Sequence, residues 1–245
     1  MSPLKMQLAN VVNRIGPHGK RAMTLVSGAS AAQLVPLAIA PILTRLYSPD
    51  EYGVLAIFMS IVAVLTAVAA GRYTVAIMLP DGDGDAVQVT GLAQVLAALV
   101  SVLLLLLVPV TQGLLGGLGM IYKLGGWLYL VPVAVLLGSV FESLGYFSLR
   151  KDKVTQIARA NVLKAAISGG TQISLGLLGA GLPGLLGGVL IGLATGNVRL
   201  IRIYLDGLRA YRLNWPQMKT MAAKYSNFPK YDRWANLANT LPYKT

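Results

Sequence analysis

The fold is decided by the stretch from Ile42 to Pro80, which reads ILTRLYSPDEYGVLAIFMSIVAVLTAVAAGRYTVAIMLP. A polar turn at residues 48–50 is followed by a mostly apolar run from Val54 to Leu79. The hydrocarbon core of a bilayer is ~30 Å thick, and roughly 20 helical residues cross it. We therefore predict that this run crosses a membrane as one helix. Because a charge inside such a span is costly, Arg72 is the first candidate functional residue.

The composition of the chain is that of a membrane protein. Of its 245 residues, 55% are hydrophobic and 12% are charged, whereas a soluble domain has roughly 25% charged residues. The chain has no cysteine and one histidine, which argues against thiolate chemistry and histidine-based metal or triad sites. We predict no catalytic residue, no metal site and no cofactor, and a protein that is not an enzyme. The net charge of +12 fits basic loops facing anionic lipid better than a nucleic-acid partner.

The apolar segments predict an all-α integral membrane protein with six transmembrane helices. A basic cytoplasmic leader, residues 1–21, precedes a six-helix lobe at residues 22–205. Residues 206–245 form a basic and aromatic tail, which we expect to lie as an amphipathic segment on the anionic inner leaflet. The predicted spans are Met23–Leu43, Val54–Leu79, Ala86–Val110, Gly126–Leu149, Val154–Leu178 and Leu182–Tyr204.

The sixth predicted span carries a stripe of glycines. Gly184, Gly188, Gly192 and Gly196 recur every four residues and therefore lie on one side of a helix. Such a stripe lets a neighbouring helix backbone approach closely. The connection from the fifth span, residues 179–181, is very short, so we expect these two helices to form a tight hairpin.

The basic residues predict the orientation. The leader, the loop after the fourth span and the tail are rich in lysine and arginine, whereas the alternate loops are poor in them. By the positive-inside rule both termini are cytoplasmic. The loop at residues 80–85 is cytoplasmic in this scheme although it contains no lysine or arginine.

Three charged residues lie inside predicted spans. Arg72 and Glu142 both lie ~10 Å from the cytoplasmic ends of their helices, and Lys164 lies at a similar depth in the fifth span. We predict that the three face a common, water-accessible cavity open to the cytoplasm. The alternative is a structural ion pair that locks two helices. Arg45, near the outer end of the first span, and Gln33, within it, are further cavity candidates.

Several motifs resemble a known family. The run APILTRLYSPDEYGV and its continuation to Pro80 resemble the start of bacterial Wzx-type polysaccharide biosynthesis proteins, the flippases of lipid-linked oligosaccharides. The likeness continues at Arg159-Ala160-Asn161, in the glycine-rich span and at KYSNFPKYDRWANLANTL, residues 224–241. These proteins belong to the multidrug/oligosaccharidyl-lipid/polysaccharide exporter superfamily.

The resemblance implies a MATE-like, V-shaped transporter of two lobes, of which this chain supplies one. It implies alternating access, in which a polyprenyl-pyrophosphate-linked oligosaccharide enters from the inner leaflet of the bacterial inner membrane and basic side chains neutralise the pyrophosphate. Because the second lobe is missing, the resemblance leaves three alternatives. The chain is a truncated product, or it pairs with another half or with a second copy of itself, or it is a non-functional remnant. The other functions considered are a MATE-like exporter of small molecules, a membrane enzyme of the same pathway, and a non-transporting structural partner of polysaccharide assembly enzymes.

Overall fold

A computed structural model describes residues 17–115 and 124–225, and within these ranges all regular structure is helical. This confirms the all-α prediction for the described part of the chain. The predicted leader up to residue 16 and the tail beyond residue 225 lie outside it. The elements are α1 (Pro17–Leu46), α2 (Pro49–Ala69), α3 (Tyr73–Ala76), α4 (Asp83–Leu115), a 3-10 helix (Gly125–Tyr129), α5 (Leu130–Arg150), α6 (Val154–Leu177), α7 (Leu182–Ala210) and α8 (Trp215–Lys224).

Four segments of the described residues are long and apolar enough to cross a membrane: Pro49–Ala69, Asp83–Gln112, Gly125–Arg150 and Leu182–Ala210. They correspond to the second, third, fourth and sixth predicted spans. The described apolar part of α1, Ala32–Leu46, is shorter, and α6 contains two basic residues, Arg159 and Lys164. Large apolar side chains remain exposed along these helices, especially on α4 between residues 99 and 110. The chain is therefore a multi-pass membrane protein.

The second predicted span is not one continuous helix, so the prediction of an unbroken run from Val54 to Leu79 is wrong. Helix α2 ends at Ala69, and the backbone is left-handed at Gly71, with φ 57°, and at Arg72, with φ 65°. The Gly71 amide donates to the carbonyl of Val68 at 2.8 Å, which closes the helix. Glycine adopts this conformation without steric penalty, whereas arginine at positive φ costs roughly 1–2 kcal/mol. Hydropathy alone does not register such a break.

The turn between α1 and α2 is joined to the hairpin between α6 and α7 through Tyr47. The Tyr47 hydroxyl donates to the carbonyl oxygen of Gln172 at 2.6 Å, and the residue is 4% exposed. A Cβ at Gly176 would lie 2.9 Å from the Tyr47 ring, and one at Gly184 would meet its hydroxyl at 2.5 Å. Both positions therefore exclude a larger residue. Burial and the Glu51 carboxylate raise the pKa of Tyr47, which keeps the donating proton in place.

The rest of the glycine stripe on α7 lies against α6 and α5. A Cβ at Gly188 would lie 2.8 Å from the carbonyl oxygen of Ser168, and one at Gly192 would lie 2.8 Å from the carbonyl oxygen of Lys164. At Gly196 a Cβ would lie 2.7 Å from the Phe141 ring. Each of these distances is shorter than a normal carbon contact, so the two backbones approach closely because the side chains are absent.

The loop at residues 80–85 lies at the same end of the helices as the basic loop after α5. Lys151 Nζ lies 2.6 Å from Asp83 Oδ2, and Arg150 Nε lies 3.4 Å from Asp83 Oδ1. Arg150 also donates to the carbonyl oxygens of Met78 and Asp81. The loop without its own lysine or arginine is thus bound to cations of the neighbouring loop.

The first part of the predicted tail packs on the lobe. Helix α7 extends to Ala210, six residues beyond the predicted end of the sixth span at Tyr204. The Gln88 amide donates to the carbonyl oxygen of Arg212 at 2.8 Å and accepts from the backbone amide of Asn214 at 3.0 Å. Met218 and Met221 of α8 are buried in the same core cluster as the start of α4. The apolar face of α8 is therefore covered by protein.

The close approach of α6 and α7 predicts opposite effects for two neighbouring glycines. In Gly192→Ala the new Cβ must displace the α6 backbone, so we expect a loss of stability of about 1–3 kcal/mol. Gly187→Ala, whose Cβ has only an ordinary 3.8 Å contact with Leu175, should be neutral or stabilising by up to about 1 kcal/mol. Thermal unfolding of both variants in the same detergent measures this. Equal melting temperatures of the Gly192→Ala and Gly187→Ala variants would contradict the close approach of α6 and α7 at Gly192.

The Gln88 contacts predict that α8 is held by one buried amide. In Gln88→Leu the Arg212 carbonyl and the Asn214 amide each lose a part-buried hydrogen bond, worth about 0.5–1.5 kcal/mol. We expect faster hydrogen exchange across residues 211–225. Gln217→Leu, at an exposed position of α8 itself, is the matched control and should leave exchange unchanged. Unaltered exchange in Gln88→Leu would refute the role of the amide.

Candidate functional site

A cavity of about 480 Å³ lies between α1, α2, α6 and α7. Its walls combine apolar residues with a stripe of polar side chains on α6 and one polar side chain on α1. The polar residues are Gln33, Asn161, Lys164, Ser168 and Gln172. The cavity is thus a polar recess within a helical lobe whose outer surface is apolar.

Among the described residues that line this cavity, Lys164 is the basic one. It lies on α6, and its ammonium nitrogen is 4.4 Å from the centre of the Phe141 ring on α5. Among the described residues no salt bridge involves Lys164. The ring face stabilises the cation without neutralising its charge. The amino group of Lys164 is therefore placed where it can contact an anionic group in the cavity.

The wall is positioned by the close packing of α6 on α7 and α1. Gly192 contacts the carbonyl oxygen of Lys164, and a Cβ at Gly196 would lie 3.4 Å from the Lys164 Cβ. Gln172 is anchored by its side-chain amide, which donates to the carbonyl oxygen of Leu185 at 3.1 Å. Two glycines of the stripe and one buried hydrogen bond thus fix the register of the polar side of α6.

Arg72 and Glu142 lie together, but away from this wall. The Arg72 charge is close enough to Glu142 to interact favourably with its carboxylate. Arg72 lies at the break between α2 and α3, and Glu142 lies on α5; neither lines the cavity that contains Lys164. The expected cluster of three charges therefore divides into Lys164 with Gln33 and Arg72 with Glu142. The two groups are linked at Phe141, which adjoins Glu142 in the chain.

The other predicted candidate has a different environment. Arg45 is exposed in the last turn of α1 and does not line the cavity. In the described part of the chain, no group of three or more His, Cys, Asp or Glu residues could hold a metal ion. Among the described residues, the cavity wall offers the Lys164 amino group and several neutral hydrogen-bonding groups.

Sequence reasoning missed Asn161, Ser168 and Gln172 as members of the wall. The spacing of these polar residues could have indicated the wall. Positions 161, 164, 168 and 172 are three or four residues apart and therefore share one face of a helix. Phe141 was also missed, because an apolar ring in an apolar helix carries no sequence signal of its contact with a lysine.

Comparison with known proteins identifies a family that this chain matches. The sequence profile of the family described as polysaccharide biosynthesis protein matches residues 42–243. No curated protein and no solved structure gives a significant match. The profile covers most of the 245 residues, including the α1–α2 turn, the break at Arg72 and the whole of α4 to α8. The chain therefore belongs to the polysaccharide biosynthesis protein family.

Proposed function

We propose that this chain is a lobe of a transporter that flips polyprenyl-pyrophosphate-linked oligosaccharide across the bacterial inner membrane. Family membership places the chain in polysaccharide biosynthesis. The observation that carries the transport proposal is Lys164, a cation without an acidic salt-bridge partner among the described residues, in a polar cavity of about 480 Å³. A pyrophosphate that leaves water needs such a cation beside it.

The cavity also suits the sugar part of this substrate. Gln33, Asn161, Ser168 and Gln172 present amide and hydroxyl groups next to the lysine. Amides and hydroxyls both donate and accept hydrogen bonds, as sugar hydroxyls require. A small lipophilic cation would instead favour carboxylates, and none of the described residues that line the cavity carries one. The lining therefore favours the oligosaccharide over the drug-exporter alternative, and a transport role over an enzymatic one.

We include six membrane crossings in the proposal. Helix α6 is joined to the α5 and α7 spans by short turns at its two ends, so it has to return across the thickness that they cross. Its 24 residues measure ~36 Å at 1.5 Å per residue, which is sufficient for a bilayer. Lys164, one of its two basic residues, is tolerated within the membrane because it faces the cavity. Helix α1 completes the set by packing along α6 at Ile39 and Gly169.

Alternating access requires a second body that closes the cavity. We propose that a second six-helix unit, from a partner polypeptide or a second copy of this chain, faces α1 and α2. In this arrangement both termini are cytoplasmic and the Asp83 ion pairs mark the inner side. The break at Gly71 and Arg72 provides a flexible point near that side, and Glu142 beside Arg72 is the candidate for ion or proton coupling.

Replacing the cavity lysine should weaken binding of the headgroup. Lys164→Gln removes one charge-assisted contact, worth about 1.5–3 kcal/mol, so affinity for undecaprenyl pyrophosphate should fall about 10- to 100-fold. Lys164→Arg should retain most of the affinity, and Lys153→Gln, at an exposed position outside the cavity, should retain all of it. Titration of the detergent-solubilised chain measures this. Equal affinity in Lys164→Gln and Lys153→Gln would exclude the site.

Glu142→Gln tests coupling separately from folding. If Glu142 carries a proton or ion, flipping driven by a gradient in proteoliposomes should fall at least tenfold, while protein level and helicity are preserved. If Glu142 only pairs with Arg72, activity per folded molecule stays unchanged and stability falls instead. Absence of headgroup translocation by the unsubstituted chain, alone or as a homodimer, would exclude autonomous transport.

A further inference from the structure

The corner formed by residues 205–219, where α7 ends and α8 begins, exposes two kinds of side chain. Four apolar or aromatic side chains there are between 44% and 56% exposed: Leu205, Tyr211, Leu213 and Trp215. Three basic side chains are exposed beside them: Arg209, Arg212 and Lys219. The corner contains a single acid, Asp206. Together these side chains form the α7–α8 corner surface.

The depth of this surface follows from the outer side of α7. Exposed Val198, Ile201 and Leu205 continue the apolar belt toward the end of the helix, and exposed Arg202 and Arg209 lie on the same side. Arg202 follows Val198 by four residues, which is a rise of ~6 Å. A side on which apolar residues alternate with cations over the last two turns is typical of the boundary between hydrocarbon and headgroups.

The apolar face of α8 does not account for the exposed aromatics. Met218 and Met221 already pack against the core at the start of α4, and Tyr225 belongs to the same cluster. Trp215 lies on the other side of the helix, with Lys219 Nζ 5.9 Å from its ring centre. A tryptophan with a lysine over its face, next to an apolar belt, has the amphipathic character of an interfacial anchor.

The charges of the surface are only partly compensated within the described residues. Arg209 pairs with Asp206 at 3.5 Å, although both side chains are largely exposed, at 83% and 74%. Arg212 and Lys219 form no salt bridge with a described residue. Asp85 and Arg212 line one cleft of about 430 Å³ without such a contact. Two cations therefore face outward at headgroup depth.

We propose that the α7–α8 corner surface binds the headgroups of acidic phospholipids, with Arg212 and Lys219 at the phosphates and Trp215 and Leu213 in the interface. The proposal goes beyond substrate transport and does not depend on it. A basic residue close to an anionic membrane surface contributes about a fivefold preference for it. Bound lipid then lies over the segment that Gln88 holds against α4.

Trp215 itself is the reporter for the test. The full chain carrying Trp127→Phe and Trp234→Phe retains Trp215 as its single tryptophan. It is placed in two preparations of nanodiscs that contain phosphatidylcholine and phosphatidylglycerol. In one preparation the phosphatidylcholine is brominated and in the other the phosphatidylglycerol, at the same mole fraction of brominated lipid. We expect brominated phosphatidylglycerol to quench Trp215 at least twofold more strongly. Circular dichroism verifies that each variant keeps its helicity.

Two double variants decide whether the charges cause the preference. Arg212→Gln with Lys219→Gln should bring the quenching ratio to about one. Lys153→Gln with Arg159→Gln removes the same net charge from exposed positions near the start of α6 and should keep the ratio of the parent. Equal quenching by both lipids in the parent, or the same fall in both double variants, overturns the proposal. Protection of Trp215 from iodide by a single-stranded oligonucleotide, without lipid quenching, would assign the surface to nucleic acid.

Discussion

Close backbone contact between α6 and α7 determines the position of the candidate site. The atoms next to Gly192 include the carbonyl oxygen of Lys164, and those next to Gly196 include the Cβ of Lys164 and the ring of Phe141. Lys164, whose amino group lies in the cavity wall, is thus held in place by close contacts with two glycines. In a bilayer there is little hydrophobic driving force between helices, so such contacts carry much of the association energy. The cavity and the stability of the lobe therefore depend on the same contacts.

The turn at Tyr47 extends this arrangement to the other end of the helices. Its hydroxyl bonds to the backbone of α6, and its ring fills the space left by a glycine on each of the two paired helices. Ser48 and Glu51 cap the start of α2 immediately afterwards, with the Ser48 amide 2.7 Å from Glu51 Oε2. One short polar sequence therefore begins a helix and joins two hairpins that are 125 residues apart.

The sequence predicted the helical class and four of the apolar spans, because these follow from hydropathy. It did not predict the break after Ala69, since Gly71 within an apolar run resembles any small residue of a membrane helix. It also did not separate Lys164 from Arg72, because depth along a helix is readable from sequence whereas rotation about the helix axis depends on packing. The contacts of α8 could not be predicted for another reason. Gln88 lies in an apolar helix, and it bonds to backbone groups, which every type of residue carries.

The Gln88 contacts have a consequence for synthesis of the protein. The amide and the backbone that it binds are 126 residues apart, so at 5–20 residues per second they are made roughly 6 to 25 s apart. During this interval the start of α4 lacks the cover that α8 later supplies. The buried valines and the amide at that end then face water, lipid or another protein. The contacts around Gln88 are thus completed only when the last helix of the described structure has been made.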